Sequence, residues 1–225
     1  MTETRGTAAG RSPVTSVRDT RSAGCSKIAP PLTHVLAEGV DHTAYLLRLA
    51  ELELLERERR TVERRIREAR FPAVKSLDSF DFAAIPSLNK LLVLELARCE
   101  YVERRENVIA LGNRGTGKTH VALGLGLAAC QKGLAVGFTT AAALVHELIE
   151  ARDERRLLRL QKQLAAYRLL IIDELGYVPL SPTGAELLFE VFSQRYERGS
   201  VIVTCRGRSK FRPLRRHRMQ VFEHR

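Results

Sequence analysis

The 225-residue chain is predicted to fold as an α/β domain, a parallel sheet sandwiched by helices and preceded by a helical N-terminal region. Three observations carry that expectation. Short apolar runs alternate with helical stretches from residue 107 onward, a glycine-rich loop lies at one strand-to-helix junction, and another apolar run ends in two adjacent carboxylates. Strands separated by helices pair in parallel, and apolar runs without polar alternation suit burial on both faces.

Residues 1–30 combine Gly, Ser, Thr, Arg and Pro with no apolar period and are expected to form a disordered extension ending near Pro30-Pro31. From Thr43 to Arg70 the spacing predicts a helix: Leu52, Leu55, Val62 and Ile66 recur near a 3.6-residue period, Arg59 interrupts the stripe, and Phe71-Pro72 ends it. Glu56/Arg60 and Glu63/Arg67 stand four apart, which fits a solvated, ion-paired face. Arg57, Arg60, Arg64 and Arg67 are also spaced to follow a phosphate backbone, and both readings stay open. A boundary is expected near Lys75, giving a helical region at 31–75 for DNA or partner binding and a core at 76–205.

Within the core the pattern predicts a helix over Ser87–Val102, a strand at Val108–Leu111, a helix over Lys118–Cys130 and a strand at Leu134–Phe138. Helices over Ala141–Glu150 and Glu154–Ala166, a strand at Arg168–Ile172, a helix over Gly184–Glu197 and a strand at Val201–Thr204 follow. Residues 206–225 are expected to be a basic, irregular tail.

A hydrophobic fraction of 44% over this length is enough for a real core. No run reaches the roughly 18 apolar residues of a membrane helix, and the first residues are polar, so a cytoplasmic protein without membrane contact is expected. The formal charge of +11 suggests nucleic acid, but its distribution weakens that inference. Residues 206–225 carry +7 and residues 1–26 carry +2, leaving only +2 on the body of the chain. Cys25, Cys99, Cys130 and Cys205 form no C-x-x-C pair and are expected to be buried or incidental thiols.

The chemistry concentrates in two segments. Gly112-Asn113-Arg114-Gly115-Thr116-Gly117-Lys118-Thr119 fits G-x-x-x-x-G-K-[ST] between a strand and a helix, the signature of a P-loop NTPase. Its glycines let backbone N–H groups approach a nucleotide's phosphates, Lys118 supplies charge for the β- and γ-phosphates, and Thr119 offers a hydroxyl to Mg²⁺. Leu169-Leu170-Ile171-Ile172 then delivers Asp173 and Glu174 to the carboxyl end of a strand, where open α/β sheets bind ligands. Asp173 is expected to hold Mg²⁺ and Glu174 to activate the attacking water. His120 is expected to be a packed or partly exposed side chain rather than a base, and Tyr177, Phe189, Phe192 and Tyr196 core aromatics.

The segment from Leu46 to Thr204 resembles the IstB-like transposition helper ATPases of bacterial insertion sequences, relatives of the DnaC helicase loader within the AAA+ superfamily. The resemblance is carried by GNRGTGKTHVALGLGLAAC at 112–130, FTTAAALVHELIEARDERRL at 138–157, LLIIDELGYVPLSPTGAELLFEVFSQRYERGS at 169–200 and RRIREARFPAVKSLDSFDF at 64–82. It implies an AAA+-like core that binds ATP, DNA binding through the N-terminal helical region, homo-oligomers in intact relatives, and a partner transposase encoded by the same element. The alternatives are a helicase loader of the DnaC type and a catalytically degenerate, truncated remnant whose basic tail binds nucleic acid.

Two departures from the family pattern bear on turnover. Cys205-Arg206 stands where the resemblance implies a Ser-Asn pair whose Asn senses the γ-phosphate, and the later segment that would bear the arginine finger is expected to be lacking. Residues 207–225 read as truncated or out-of-register sequence, so the last parallel strand beside the phosphate-loop strand is expected to be missing and one sheet edge exposed. Loss of an arginine finger removes roughly 10³–10⁵ in rate, which leaves ATPase activity in this chain undecided.

Overall fold

The computed structural model describes residues 42–177 and 179–206 and the backbone of 219–223. Two compact units divide at Glu53/Leu54. The described part of the first, 42–53, is helical throughout. The division falls inside α1 (His42–Glu68), so the boundary expected near Lys75 lies within the second unit.

The second unit is built on five parallel strands: β1 (Asn107–Leu111), β2 (Val136–Thr140), β3 (Leu169–Leu175), β4 (Ser200–Cys205) and β5 (Met219–Glu223), in the order β2-β3-β4-β1-β5. The helices are α2 (Lys90–Ala97), α3 (Glu100–Glu103), α4 (Lys118–Gln131), α5 (Ala141–Asp153), α6 (Leu157–Ala166) and α7 (Pro182–Arg195). Side chains alternate between two cores along each central strand, as a period of two requires. Val108, Ala110, Leu169, Ile171 and Ile202 join α4 and the segment before β1, whereas Ile109, Leu170, Ile172, Val201 and Val203 join α5, α6 and α7. The predicted parallel sheet between helical layers is the observed one.

Helix starts follow local chemistry. Thr140 and Ser181 cap α5 and α7 by accepting the N–H of Ala143 and Gly184 at 3.2 and 3.1 Å, with Pro182 at the first turn of α7. The helix expected over Ser87–Val102 is instead α2 and α3, because Cys99 takes a left-handed φ of 60° between them. Leu52 and Leu55, expected on the apolar stripe, are exposed, whereas Ile66 near the end of α1 and Ala69 just beyond it join the core. On its solvated face Glu56 pairs with Arg60 at 3.0 Å as expected, but Glu63 pairs with Arg59 at 2.5 Å rather than with Arg67.

The segment between α1 and α2 packs closely on α4. A Cβ at Gly117, Gly124 or Gly126 would approach Phe80 Cε2 to 2.6 Å, Leu77 Cδ2 to 2.6 Å or Phe71 Cζ to 3.0 Å. On the other side, buried Arg195 ties α6, α7 and β4 together by donating to the carbonyls of Leu164, Tyr167 and Ser200 at 2.6, 3.0 and 3.0 Å. Burial draws its guanidinium down to about 10.

One expectation is corrected outright. Residues 219–223 form a parallel strand on β1, pairing Asn107 with Met219 through Leu111 with Glu223, so the strand thought missing is present. A five-residue stretch within basic sequence carries too little periodicity to announce a strand, whereas β1 offers it a row of backbone partners. The rest of the tail from 207 lies outside the described residues.

Candidate functional site

β1 points its carboxyl end at the loop. The Gly112 N–H donates to Cys205 O at 3.3 Å, anchoring the loop's start to the end of β4. Gly115 and Gly117 both take φ of 75°, a left-handed conformation that a Cβ disfavours, and Gly117 is the N-cap of α4. The 14-residue helix therefore aims its first unpaired N–H groups and positive dipole end into the loop. Lys118, only 6% exposed, folds back: its Nζ donates to Asn113 O at 2.5 Å and Thr116 Oγ1 at 3.3 Å. Burial lowers the Lys118 pKa, and the nearby Asp173 carboxylate opposes that shift.

The second half of the site is a β-bulge. Ile172 pairs with Val203 and Leu175 with Cys205, so Asp173 and Glu174 together face the single residue Thr204. Strand alternation puts Asp173 on the α4 side with Leu169 and Ile171, where the Thr119 Oγ1 lies 3.1 and 3.0 Å from its two carboxylate oxygens, and the extra residue returns Leu175 to the opposite core beside Ile172. Thr204 Oγ1 also donates to Asp173 Oδ1 and accepts the Glu174 N–H at 3.0 Å. Asp173 is 5% exposed, while Glu174 is exposed with a left-handed φ of 60°.

These groups line an open cleft of about 480 Å³, bounded by Arg114, Gly115, Thr116, Gly117, Lys118, Thr119, Asp173, Glu174, Tyr177 and Thr204. Gly112 and Asn113 do not face it; they act on it through their backbones. At its mouth the Arg114 guanidinium lies 5.3 Å from the Tyr177 ring centroid. Tyr177, expected in the core, is thus a wall of the cleft, and Phe189 and Tyr196, also expected there, are 57% and 43% exposed. Phe192 does pack against the core, and His120 is held by Ser76 O at 2.9 Å and the edge of Phe80.

Thr204 was not among the residues the motifs single out. Its only signal is a hydroxyl following the apolar run Val201-Ile202-Val203, and that gains meaning only once β4 is known to lie beside β3. Cys205 follows it buried in β4, and Arg206 is exposed beyond the strand. Among the described residues, no group of three or more His, Cys, Asp or Glu is placed to hold a metal. The Thr119 hydroxyl and Asp173 carboxylate are instead the sparse hard-oxygen set that suits a cation shared with phosphate.

The family model for IstB-like ATP binding protein matches residues 33–210. This chain belongs to that family. It is 41% identical over 165 residues to the insertion sequence IS21 ATP-binding protein of Pseudomonas aeruginosa, covering 73% of this chain and 62% of the relative. With the insertion sequence IS5376 ATP-binding protein of Geobacillus stearothermophilus the identity is 36%, covering 73% of this chain and 66% of the relative. The alignments therefore span a little less than two thirds of these family members. Among solved structures the DnaC helicase loader aligns with a TM-score of 0.52 at 22% identity, covering 60% of this chain and 87% of that one. AMPPCP-bound DnaA from Aquifex aeolicus aligns at 0.50 and 18%, covering 58% and 45%. Both likenesses establish a shared fold with these proteins.

Proposed function

We propose that the chain is an ATP-binding helper protein of DNA transposition. In this reading the backbone of residues 112–117 cradles the nucleotide's phosphates and Lys118 neutralises the β- and γ-phosphates. Thr119 and Asp173 hold Mg²⁺, and Glu174 orients the attacking water. The magnesium ion would supply charge neutralisation across the phosphate oxygens. The reading also includes DNA contact through the N-terminal region at 31–75, a transposase partner from the same element, assembly with further copies of the chain, and action in the cytoplasm. Among the described residues, no helix is long and apolar enough to cross a membrane.

The observation that carries the reading is the meeting of Lys118, Thr119 and Asp173 in one cleft at the carboxyl ends of β1 and β3, with Thr119 and Asp173, 54 apart in sequence, within hydrogen-bond reach. The family's ATP-binding relatives, named for insertion sequences, support the transposition setting over helicase loading, for which only a shared fold speaks. Binding is placed ahead of turnover, because Cys205-Arg206 occupies the position of the γ-phosphate sensor.

Fluorescent ATP titration tests the site. Lys118→Ala is expected to weaken binding by about 100-fold or more, removing a charge-assisted contact from a buried position. Glu174→Gln should bind ATP like the parent while lowering whatever DNA-stimulated turnover the parent shows. Unchanged affinity in Lys118→Ala would refute the cradle.

A further inference from the structure

We propose that the Thr204 hydroxyl is a positioning group for the proposed ATP–magnesium site, holding the Asp173 carboxylate and the Glu174 backbone in one fixed arrangement. The inference rests on the reading of the cleft given above.

The bulge creates the need for such a group. Two residues of β3 face one residue of β4, so the sheet ladder skips a position where Asp173 and Glu174 stand. The Glu174 N–H is thereby deprived of a strand carbonyl, and the Thr204 side chain takes it at 3.0 Å. A hydroxyl has one hydrogen and two lone pairs, so accepting from Glu174 leaves its hydrogen for Asp173 Oδ1, where it is directed. The two bonds lock each other's direction. Thr204 is 1% exposed, which denies water access to replace either. The other hydroxyl on Asp173 belongs to Thr119, which the proposed site commits to the cation, whereas Thr204 has no second duty there. Glu174 sits at a φ of 60°, a conformation that needs outside support, and its amide bond to Thr204 supplies that support.

Three variants of the full chain, Thr204→Val, Thr204→Ser and Lys118→Ala, decide the matter. Thr204→Val keeps the shape and removes both hydrogen bonds. It is expected to raise the Mg²⁺ concentration for half-maximal fluorescent ATP binding by about tenfold, with affinity in excess EDTA unchanged. Without nucleotide, it should speed hydrogen exchange at the Glu174 amide by about tenfold. Thr204→Ser should restore both values. If Thr204→Val does not fold, Thr204→Ala makes the same comparison against Thr204→Ser. A Mg²⁺ midpoint and Glu174 exchange unchanged in Thr204→Val would overturn the proposal, as would equal impairment in the Val and Ser variants, which would mark a packing effect. ATP affinity untouched by Lys118→Ala would fail the site reading instead, and the Mg²⁺ shift with it, whereas Glu174 exchange judges Thr204 with no nucleotide present.

Discussion

Cys205 closes β4 with its thiol in the core beside Leu175 and Val203, while its carbonyl receives the Gly112 N–H. Burial pushes the thiol up from 9.0 to about 11, with Lys118 pulling in the opposite direction, and Cys130 is pushed to about 11 in the same way. A thiol whose folded pKa exceeds its unfolded value adds stability that is complete below the unfolded pKa and disappears as pH rises through the folded one. The urea midpoint is therefore expected to hold up to pH 9 and fall between about 9 and 11, and replacing both cysteines by Ala should flatten that fall. In a Cys25→Ser background, alkylation of Cys130 and Cys205 at pH 8 should be slowed about 100-fold by thiolate fraction alone, and recover in urea. At this scale sequence is legible where one residue type performs a task by itself. Lys118, Thr119 and Asp173 announce themselves through spacing, but Thr204 is an ordinary strand threonine until the bulge opposite it is seen.

The elements owe their existence to periodicity and their limits to single residues. α4 is readable as a helix rich in Ala, Leu and Gly, yet its glycines have a tertiary reason: Leu77 occupies the space a side chain at Gly124 would fill, and Ile171 and Phe71 the space at Gly126. Gly124→Ala tests this, since a Cβ there would lie 2.6 Å from Leu77 Cδ2 and 3.3 Å from the Leu77 backbone N. In a solvated helix that change stabilises by roughly 0.5–1 kcal/mol. Here overpacking should outweigh the gain and leave a net loss of about 1 kcal/mol in urea unfolding. β2 begins at Val136 rather than Leu134 because the left-handed Gly133 still closes α4, with the Leu134 N–H donating to Ala129 O at 3.1 Å. Such shifts are invisible to a hydropathy pattern, which registers Leu134 and Val136 alike.

For the molecule as a whole, β5 is the decisive element. It covers the side of β1 that would otherwise be the edge next to the phosphate loop. A chain ending at Arg206 should bare that edge, lower the Tm by roughly 5–10 °C and shift size-exclusion profiles toward aggregates. A truncated chain that stays monodisperse with the parent Tm would show β5 to be dispensable. The same truncation removes most of the +7 carried by residues 206–225, so it also measures how far the salt slope of the proposed DNA binding depends on the tail.

Local spacing was enough to reveal the phosphate loop, the alternation of strands and helices, and the acidic pair at the end of β3, because each depends on neighbours a few residues away. The bulge that leaves the Glu174 N–H to Thr204, the hydroxyl that also holds Asp173, the tyrosine at the cleft mouth and the strand beside β1 depend on segments brought together from 30 to more than 100 positions apart. No pattern within one segment records such pairings, since a backbone hydrogen bond or a packed ring is chosen by whatever the fold places opposite it.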